Sequence, residues 1–212
     1  MRVTVFGAAG NVGSRVVAEA LARGHEVTAV VRNPSRAGQL PSAVTVRVAD
    51  AANASDVAES IAGQDVLISA TRPVPGSEAE LAGTTRALLA GAARSGVRLV
   101  LVGGAGSLTV PGTDRTVLDD PDFVPPAWRP IAQACTDQLA VCRTETDADW
   151  TYLSPPARLE PGERTGAYRL GADELLLDPE GNSAISMEDL AVALLDEAER
   201  PRHHRTRFTV AY

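Results

Sequence analysis

The chain contains no lysine: all 20 of its Lys+Arg residues are arginine. A Tyr-x-x-x-Lys pair, in which an ammonium lowers the pKa of a neighbouring phenol, is therefore excluded, as are a lysine Schiff base and a P-loop lysine. A codon bias that also inflates Ala and Arg accounts for this more simply than selection for function. Cysteine is nearly missing as well. Cys135 and Cys142 lie seven apart on an expected helix, with Ile131 and Leu139 on the same stripe. At about 1.5 Å rise per residue their Cα atoms stand roughly 10 Å apart, too far for a disulfide, so both read as reduced core residues. The three histidines, His25 and the pair His203-His204, have no metal-ligand spacing, and no metal site is expected. His203 and His204 are expected on the surface after the last helix. No apolar run has the length of a membrane span, and no signal peptide precedes the first strand, which makes a cytoplasmic protein without membrane contact the expectation. No block of basic residues accompanies the formal charge of −7, and this argues against a nucleic-acid surface.

What is present begins at once. The apolar run Val3 to Phe6 leads into Gly7-Ala8-Ala9-Gly10-Asn11-Val12-Gly13, and a helical pattern of Val12, Val16, Val17, Ala20 and Leu21 follows. Glycine triplets also occur in plain turns. Between a strand and a helix, however, this one meets the three demands of a dinucleotide-binding turn: a residue without Cβ, close backbone approach to a pyrophosphate, and a helix that offers unpaired N–H groups at its positive end. Gly7, Ala9, Gly10, Asn11, Val12 and Gly13 are the expected phosphate cradle.

The remaining apolar segments alternate between strand-like and helix-like without a break in composition, as in a parallel sheet covered on both faces. Strands are read at Val3 to Phe6, Glu26 to Val31, Val44 to Val48, Val66 to Ala70, Leu99 to Gly103 and Trp150 to Leu153. The segment Gly104 to Pro130, rich in Gly, Pro and Asp, lies where a substrate lid would be, and a helix Ile131 to Thr146 follows it. Near the end, Ala167 to Leu170 and Leu175 to Leu177 suggest a small hairpin around Gly171-Ala172. Ser186 is an N-cap candidate for a helix Asp189 to Glu199, with Asp189 placed to answer it, and Arg207 to Tyr212 reads as a final edge strand. The fold class is α/β, a doubly wound, mostly parallel Rossmann sheet, and a chain of 212 residues is enough for one such domain but short for two.

The strand ends carry the candidate ligands. After the second strand stands Arg32, where an acid would receive a ribose 2′-hydroxyl; a cation there favours a 2′-phosphate, and hence NADP(H) over NAD(H). Arg36 either adds a second charge or is a solvated surface arginine. Ala70, Thr71 and Arg72 close the fourth strand, and the small side chains let a ribose and nicotinamide lie against the backbone, although a turn after a buried strand has the same appearance.

The spacing Gly-x-x-Gly-x-x-Gly, the strand end Val30-Val31-Arg32-Asn33-Pro34, the segment Val102-Gly103-Gly104-Ala105-Gly106-Ser107-Leu108 and the stretch Asp149-Trp150-Thr151-Tyr152-Leu153-Ser154-Pro155 resemble the NAD(P)H-binding family of atypical short-chain dehydrogenases/reductases. These proteins are often described as NADH-flavin reductases and are akin to biliverdin reductase B and the NmrA-like group. Similarity continues through Arg164 to Arg169 and Ile185 to Asp189, over nearly the whole chain. It implies one NAD(P)-binding Rossmann domain over 1–212, with 154–187 contributing a small substrate-side lobe. It implies that Asp50, with Ala51 after it, meets the adenine amino group, a role compatible with capping or loop duty. Gly103 and Pro155 join the cofactor contacts. Ser107 falls beside the nicotinamide, as a catalytic hydroxyl or a turn serine. None of the three histidines matches the active-site histidine of biliverdin reductase B.

Three functions stay open on this reading. One is NADPH-dependent hydride transfer to a planar acceptor such as a flavin or quinone, for which alignment suffices because the ring stabilises the developing charge. The second is a non-catalytic NADPH sensor, and the third is a carbonyl reductase or isomerase of specialised metabolism.

Overall fold

A computed structural model describes all 212 residues. Strands β1 (Arg2–Phe6), β2 (Glu26–Val31), β3 (Thr45–Val48), β4 (Val66–Ser69), β5 (Arg98–Val102), β6 (Trp150–Ser154), β8 (Arg169–Gly171) and β10 (Thr206–Ala211) form an eight-stranded sheet. Its order is β3-β2-β1-β4-β5-β6-β10-β8. All neighbours are parallel except β8, which runs antiparallel to β10. A second, two-stranded sheet pairs β7 (Arg158–Glu160) with β9 (Ala184–Ser186).

Alternation along each strand sorts the apolar residues onto two faces. Val3 and Val5 of β1, Val100 of β5 and Phe208 of β10 pack under helices α1 (Asn11–Ala22) and α5 (Met187–Glu199). Phe6, Leu99, Leu101, Trp150 and Tyr152 pack under α2 (Ala54–Ile61), α3 (Glu80–Ser95) and α4 (Arg129–Arg143). Helix α2 starts where the Asn53 side chain accepts hydrogen bonds from the amides of Ser55 and Asp56. Helix α4 begins two residues before the sequence suggests, because Pro130 sits in its first turn, where the missing N–H has no partner to lose.

Four expectations change. The final strand is interior: β10 lies between β6 and β8, and the edge is β8. The hairpin of 167–170 with 175–177 does not form, since β8 pairs with β10 while the Leu175 amide donates to the Thr109 carbonyl at 2.9 Å. Leu175 is drawn instead into a small core with Leu108, Val110 and Val117, which ties the segment after β5 to residues 173–175. Ser186 does cap α5, accepting from the Asp189 amide at 2.9 Å. Asp189 does not answer it; its carboxylate takes hydrogen bonds from Thr165 Oγ1 (2.6 Å), the Gly166 amide (2.7 Å) and Tyr212 Oη (2.8 Å), pinning the 162–166 turn and the last residue to the helix start. His203 is half-buried rather than on the surface, its ring stacked on Phe208 at 4.4 Å and its Nδ1 2.8 Å from the buried Glu197 carboxylate.

Candidate cofactor and substrate site

Parallel pairing brings the ends of β1 to β6 to one edge of the sheet, and the strand order reverses between β1 and β4. A crevice at such a switch point is where open α/β sheets take ligands. Gly7 turns the chain there with φ +76°, and a Cβ on it would stand 2.5 Å from the Ala70 carbonyl oxygen and 3.1 Å from the Thr71 amide nitrogen. The glycine turn and the end of β4 are thus packed backbone to backbone. A Cβ on Gly13 would run into the Gly7 carbonyl, so the third glycine seats α1 on the turn. Gly10 differs: an added Cβ would meet only the Gly7 carbonyl oxygen, at 3.1 Å. It is the N-cap of α1, no side chain caps the helix, and no acidic residue lies in its first turn. Asn11 is exposed and Val12 packs against the core below. The positive end of α1 is therefore open to an anion, and the space over Gly10 suits a pyrophosphate.

Arg32, at the end of β2, is exposed, and its side chain makes no hydrogen bond or ion pair with the protein. The chain beyond it is fixed by Asn33, whose side chain accepts from the Ser35 amide at 3.0 Å. Arg36 is already engaged, donating from Nη2 to the Ala9 carbonyl at 2.6 Å, and so braces the glycine turn. Asp50 forms a tight turn of its own: Oδ1 accepts from the Ala52 amide and its amide donates to Asp56, both at 3.0 Å. Its other carboxylate oxygen has no partner within the protein, and Ala51 beside it is half-buried.

On the other side of β1, Ser69 Oγ and Thr71 Oγ1 share a hydrogen bond of 3.0 Å at the end of β4. Arg72 reaches outward, its guanidinium 5.3 Å from the centre of the Trp128 ring. Gly103 has a structural reason to be glycine, because the Tyr152 ring fills the volume a side chain would need. The Tyr152 hydroxyl donates to the Cys135 carbonyl (2.8 Å) and accepts from the Gly104 amide (3.2 Å); burial holds its pKa well above the ordinary phenol value. It is a strut rather than an acid. Burial also pushes Cys135 to about 11 and Cys142 to about 12, so both thiols stay protonated. Pro155 is buried just past β6, next to Ser154, whose Oγ has no partner.

Ser107 lies apart from the glycine turn, beyond the end of β5. Its Oγ accepts from Arg207 Nη1 at 2.8 Å, and Arg207, only 7% exposed, is paired through its other nitrogens with Asp173. Arg207 was not singled out from the sequence. The signal was available in its register: it stands opposite Tyr152 and shares that residue's buried face, where a charged side chain needs a partner. The crevice contains no histidine: His25, His203 and His204 are each bonded to a carboxylate elsewhere. No group of three His, Cys, Asp or Glu residues is arranged to hold a metal.

The chain has relatives of the same fold. A family model described as NAD(P)H-binding matches residues 7–201. The uncharacterised protein YwnB of Bacillus subtilis is 37% identical over 213 residues, covering 99% of this chain and 98% of its own. Among solved structures, a candidate exported protein of Burkholderia pseudomallei superposes with a TM-score of 0.88 at 42% identity, with both chains covered completely. A candidate NADH-flavin reductase of Streptococcus pneumoniae also reaches 0.88, at 33% identity over 100% of this chain and 99% of its own. With the glycine turn, the open helix end and the strand order already in place, the chain belongs to the NAD(P)H-binding family, as a Rossmann-fold protein of the atypical short-chain dehydrogenase/reductase kind.

Proposed function

We propose that the protein is an NADPH-dependent oxidoreductase that transfers hydride to a planar acceptor, a flavin or a quinone. The observation that carries this reading is the pairing of an uncapped, open α1 N-terminus with a free Arg32 at the neighbouring strand end. The helix end holds the pyrophosphate, and Arg32 pairs with the 2′-phosphate, while Arg36 keeps the turn in shape through the Ala9 carbonyl. Asp50 offers its free carboxylate oxygen to the adenine, and Ala70 and Thr71 lie under the ribose and nicotinamide.

When bound, NADPH supplies a hydride, which with one proton from solvent converts a flavin to its dihydro form or a quinone to a hydroquinone and leaves NADP+. The protein's contribution is alignment and exclusion of water. Arg207 occupies a lone pair of Ser107 Oγ, which leaves the hydroxyl hydrogen free to donate to the acceptor. No stronger acid stands nearby, in keeping with an acceptor whose ring takes up the charge itself. The name of the Streptococcus relative supports a flavin acceptor. No helix is long and apolar enough to cross a membrane, and we place the activity in the cytoplasm, with the nicotinamide pool.

The test is NADPH oxidation, followed at 340 nm, with FMN, riboflavin and menadione as acceptors. Turnover with at least one of them is expected. Tight NADPH binding without turnover on any acceptor overturns the reading in favour of a sensor.

A further inference from the structure

Arg72, which the sequence places among the cofactor contacts, turns onto Trp128, and that pairing is unexplained by cofactor binding. Trp128 is 55% exposed, whereas the other tryptophan, Trp150, is 2% exposed in the core. Its presentation is rigid. Pro125 and Pro126 precede it, Pro130 follows it, and Arg129 is tied to the Leu118 carbonyl at 2.8 Å. Prolines on both sides limit the backbone freedom that an exposed loop would otherwise have. Arg72 follows the Ala70–Thr71 backbone that packs on Gly7, and Pro73 fixes the chain after it. Its guanidinium has no hydrogen bond or ion pair, and the Trp128 ring is its neighbour. Trp128 opens α4, whose Cys135 abuts Gly104 at the end of β5. The cation and the aromatic face therefore meet on the β4–β5 side of the switch point, one from the end of β4 and the other from the start of α4.

On the reading that the acceptor is planar, we propose that Trp128 and Arg72 form the acceptor clamp: the indole stacks on a flat ring system, and the Arg72 guanidinium pairs with an anionic group carried on it. The matching ligand chemistry is an isoalloxazine bearing a phosphate. An aromatic face held by prolines loses little entropy on stacking, and Arg is suited both to lie on an aromatic ring and to grip a phosphate through two donors. Within the protein each group is the other's partner. A phosphate competes for the cation, because a charge-assisted hydrogen bond is stronger than an exposed cation–π contact. Arg72 thereby selects for charge, and Trp128 selects for planarity.

The experiment is isothermal titration of FMN and of riboflavin, which differ by the phosphate alone, into NADP+-saturated wild type, Arg72→Gln, Trp128→Ala and Trp128→Phe. Thermal melts of each variant confirm folding; both side chains are exposed, so unchanged melts are expected. Wild type should bind FMN about tenfold more tightly than riboflavin. Arg72→Gln should remove that advantage and leave riboflavin unchanged. Trp128→Ala should weaken both ligands by roughly tenfold, keeping their ratio, and Trp128→Phe should restore most of the loss. Equal affinities in wild type, a preference that survives Arg72→Gln, or a Trp128→Ala variant that binds like wild type would each overturn the clamp. Bound FMN that is not reduced by NADPH would overturn hydride transfer to flavin and leave the clamp standing.

Discussion

Gly10 separates the requirements of folding from those of ligand binding, and Gly10→Val tests the distinction. Its φ of −82° and ψ of 173° are open to any residue, and an added Cβ presses only on the Gly7 carbonyl, at 3.1 Å, a contact relieved by a shift of a few tenths of an ångström. Valine is a poorer N-cap than glycine, so the expected loss of stability is about 1 kcal/mol, or about 2–4 °C in melting temperature for a chain of this size. The effect on binding is larger. The branched side chain stands over the open end of α1 and displaces a phosphate from the amides there, removing one or two charge-assisted hydrogen bonds, worth roughly 3 kcal/mol or about 100-fold in affinity. In a melting experiment, NADPH at a hundred times its Kd stabilises wild type by about 2.7 kcal/mol, roughly 5–10 °C. The same concentration only matches the Kd of the variant and yields about 0.4 kcal/mol, roughly 1 °C. A full NADPH shift in Gly10→Val would show that the phosphates lie elsewhere. Unfolding of the variant would show that Gly10 belongs with Gly13, where the chain has no room for a Cβ.

Tyr152→Phe removes a buried hydroxyl bonded to Cys135, Gly104 and Gln138, and should lower stability by about 1–3 kcal/mol in a denaturant titration while NADPH affinity is kept; a large loss of turnover at equal affinity would make Tyr152 an acid after all. Burial alone would raise the Glu197 pKa, but hydrogen bonds from the His203 and Arg202 amides, the His203 ring and Arg98 outweigh it and hold it low. Its contribution is therefore present above the unfolded-state value near about 4.3 and disappears as the pH falls through the lower folded value. Glu197→Gln should cost about 1–3 kcal/mol at pH 7 by taking the nearest carboxylate from Arg98, which keeps the Thr151 hydroxyl and the His203 carbonyl, and the gap to wild type should narrow in melts below about pH 4; a gap independent of pH contradicts the charge argument. Ser107→Ala should slow NADPH oxidation by about 10- to 100-fold at most, and a drop of several orders of magnitude would reveal a proton relay through Ser107.

Much of this was legible in the residues. Val3 to Phe6 and the glycines give the turn because Gly7 and Gly13 answer local steric demands, and the alternation in β1, β5 and β6 places both cores. Where the sequence misleads, the deciding contact is distant. Arg207 to Tyr212 reads as an edge strand, yet the short β8 pairs with its outer side, and Arg207 is held by Ser107 and Asp173, contacts that lie far off in the chain. The partners of Asp189 come from Thr165, Gly166 and Tyr212, and no local capping rule points to them. The bond between Ser107 and Arg207 joins residues a hundred positions apart. The pairing of Arg72 with Trp128 is invisible for the same reason, since neither residue type is unusual where it stands.

In the proposed function the open end of α1 and Arg32 together hold NADPH. Isothermal titration of NADPH and NADH into wild type and Arg32→Ala tests it most directly. NADPH should bind wild type more tightly, and the variant should lose about 1.5–3 kcal/mol for NADPH with little change for NADH. Equal affinities in wild type, or a preference for NADPH that persists in Arg32→Ala, would contradict it.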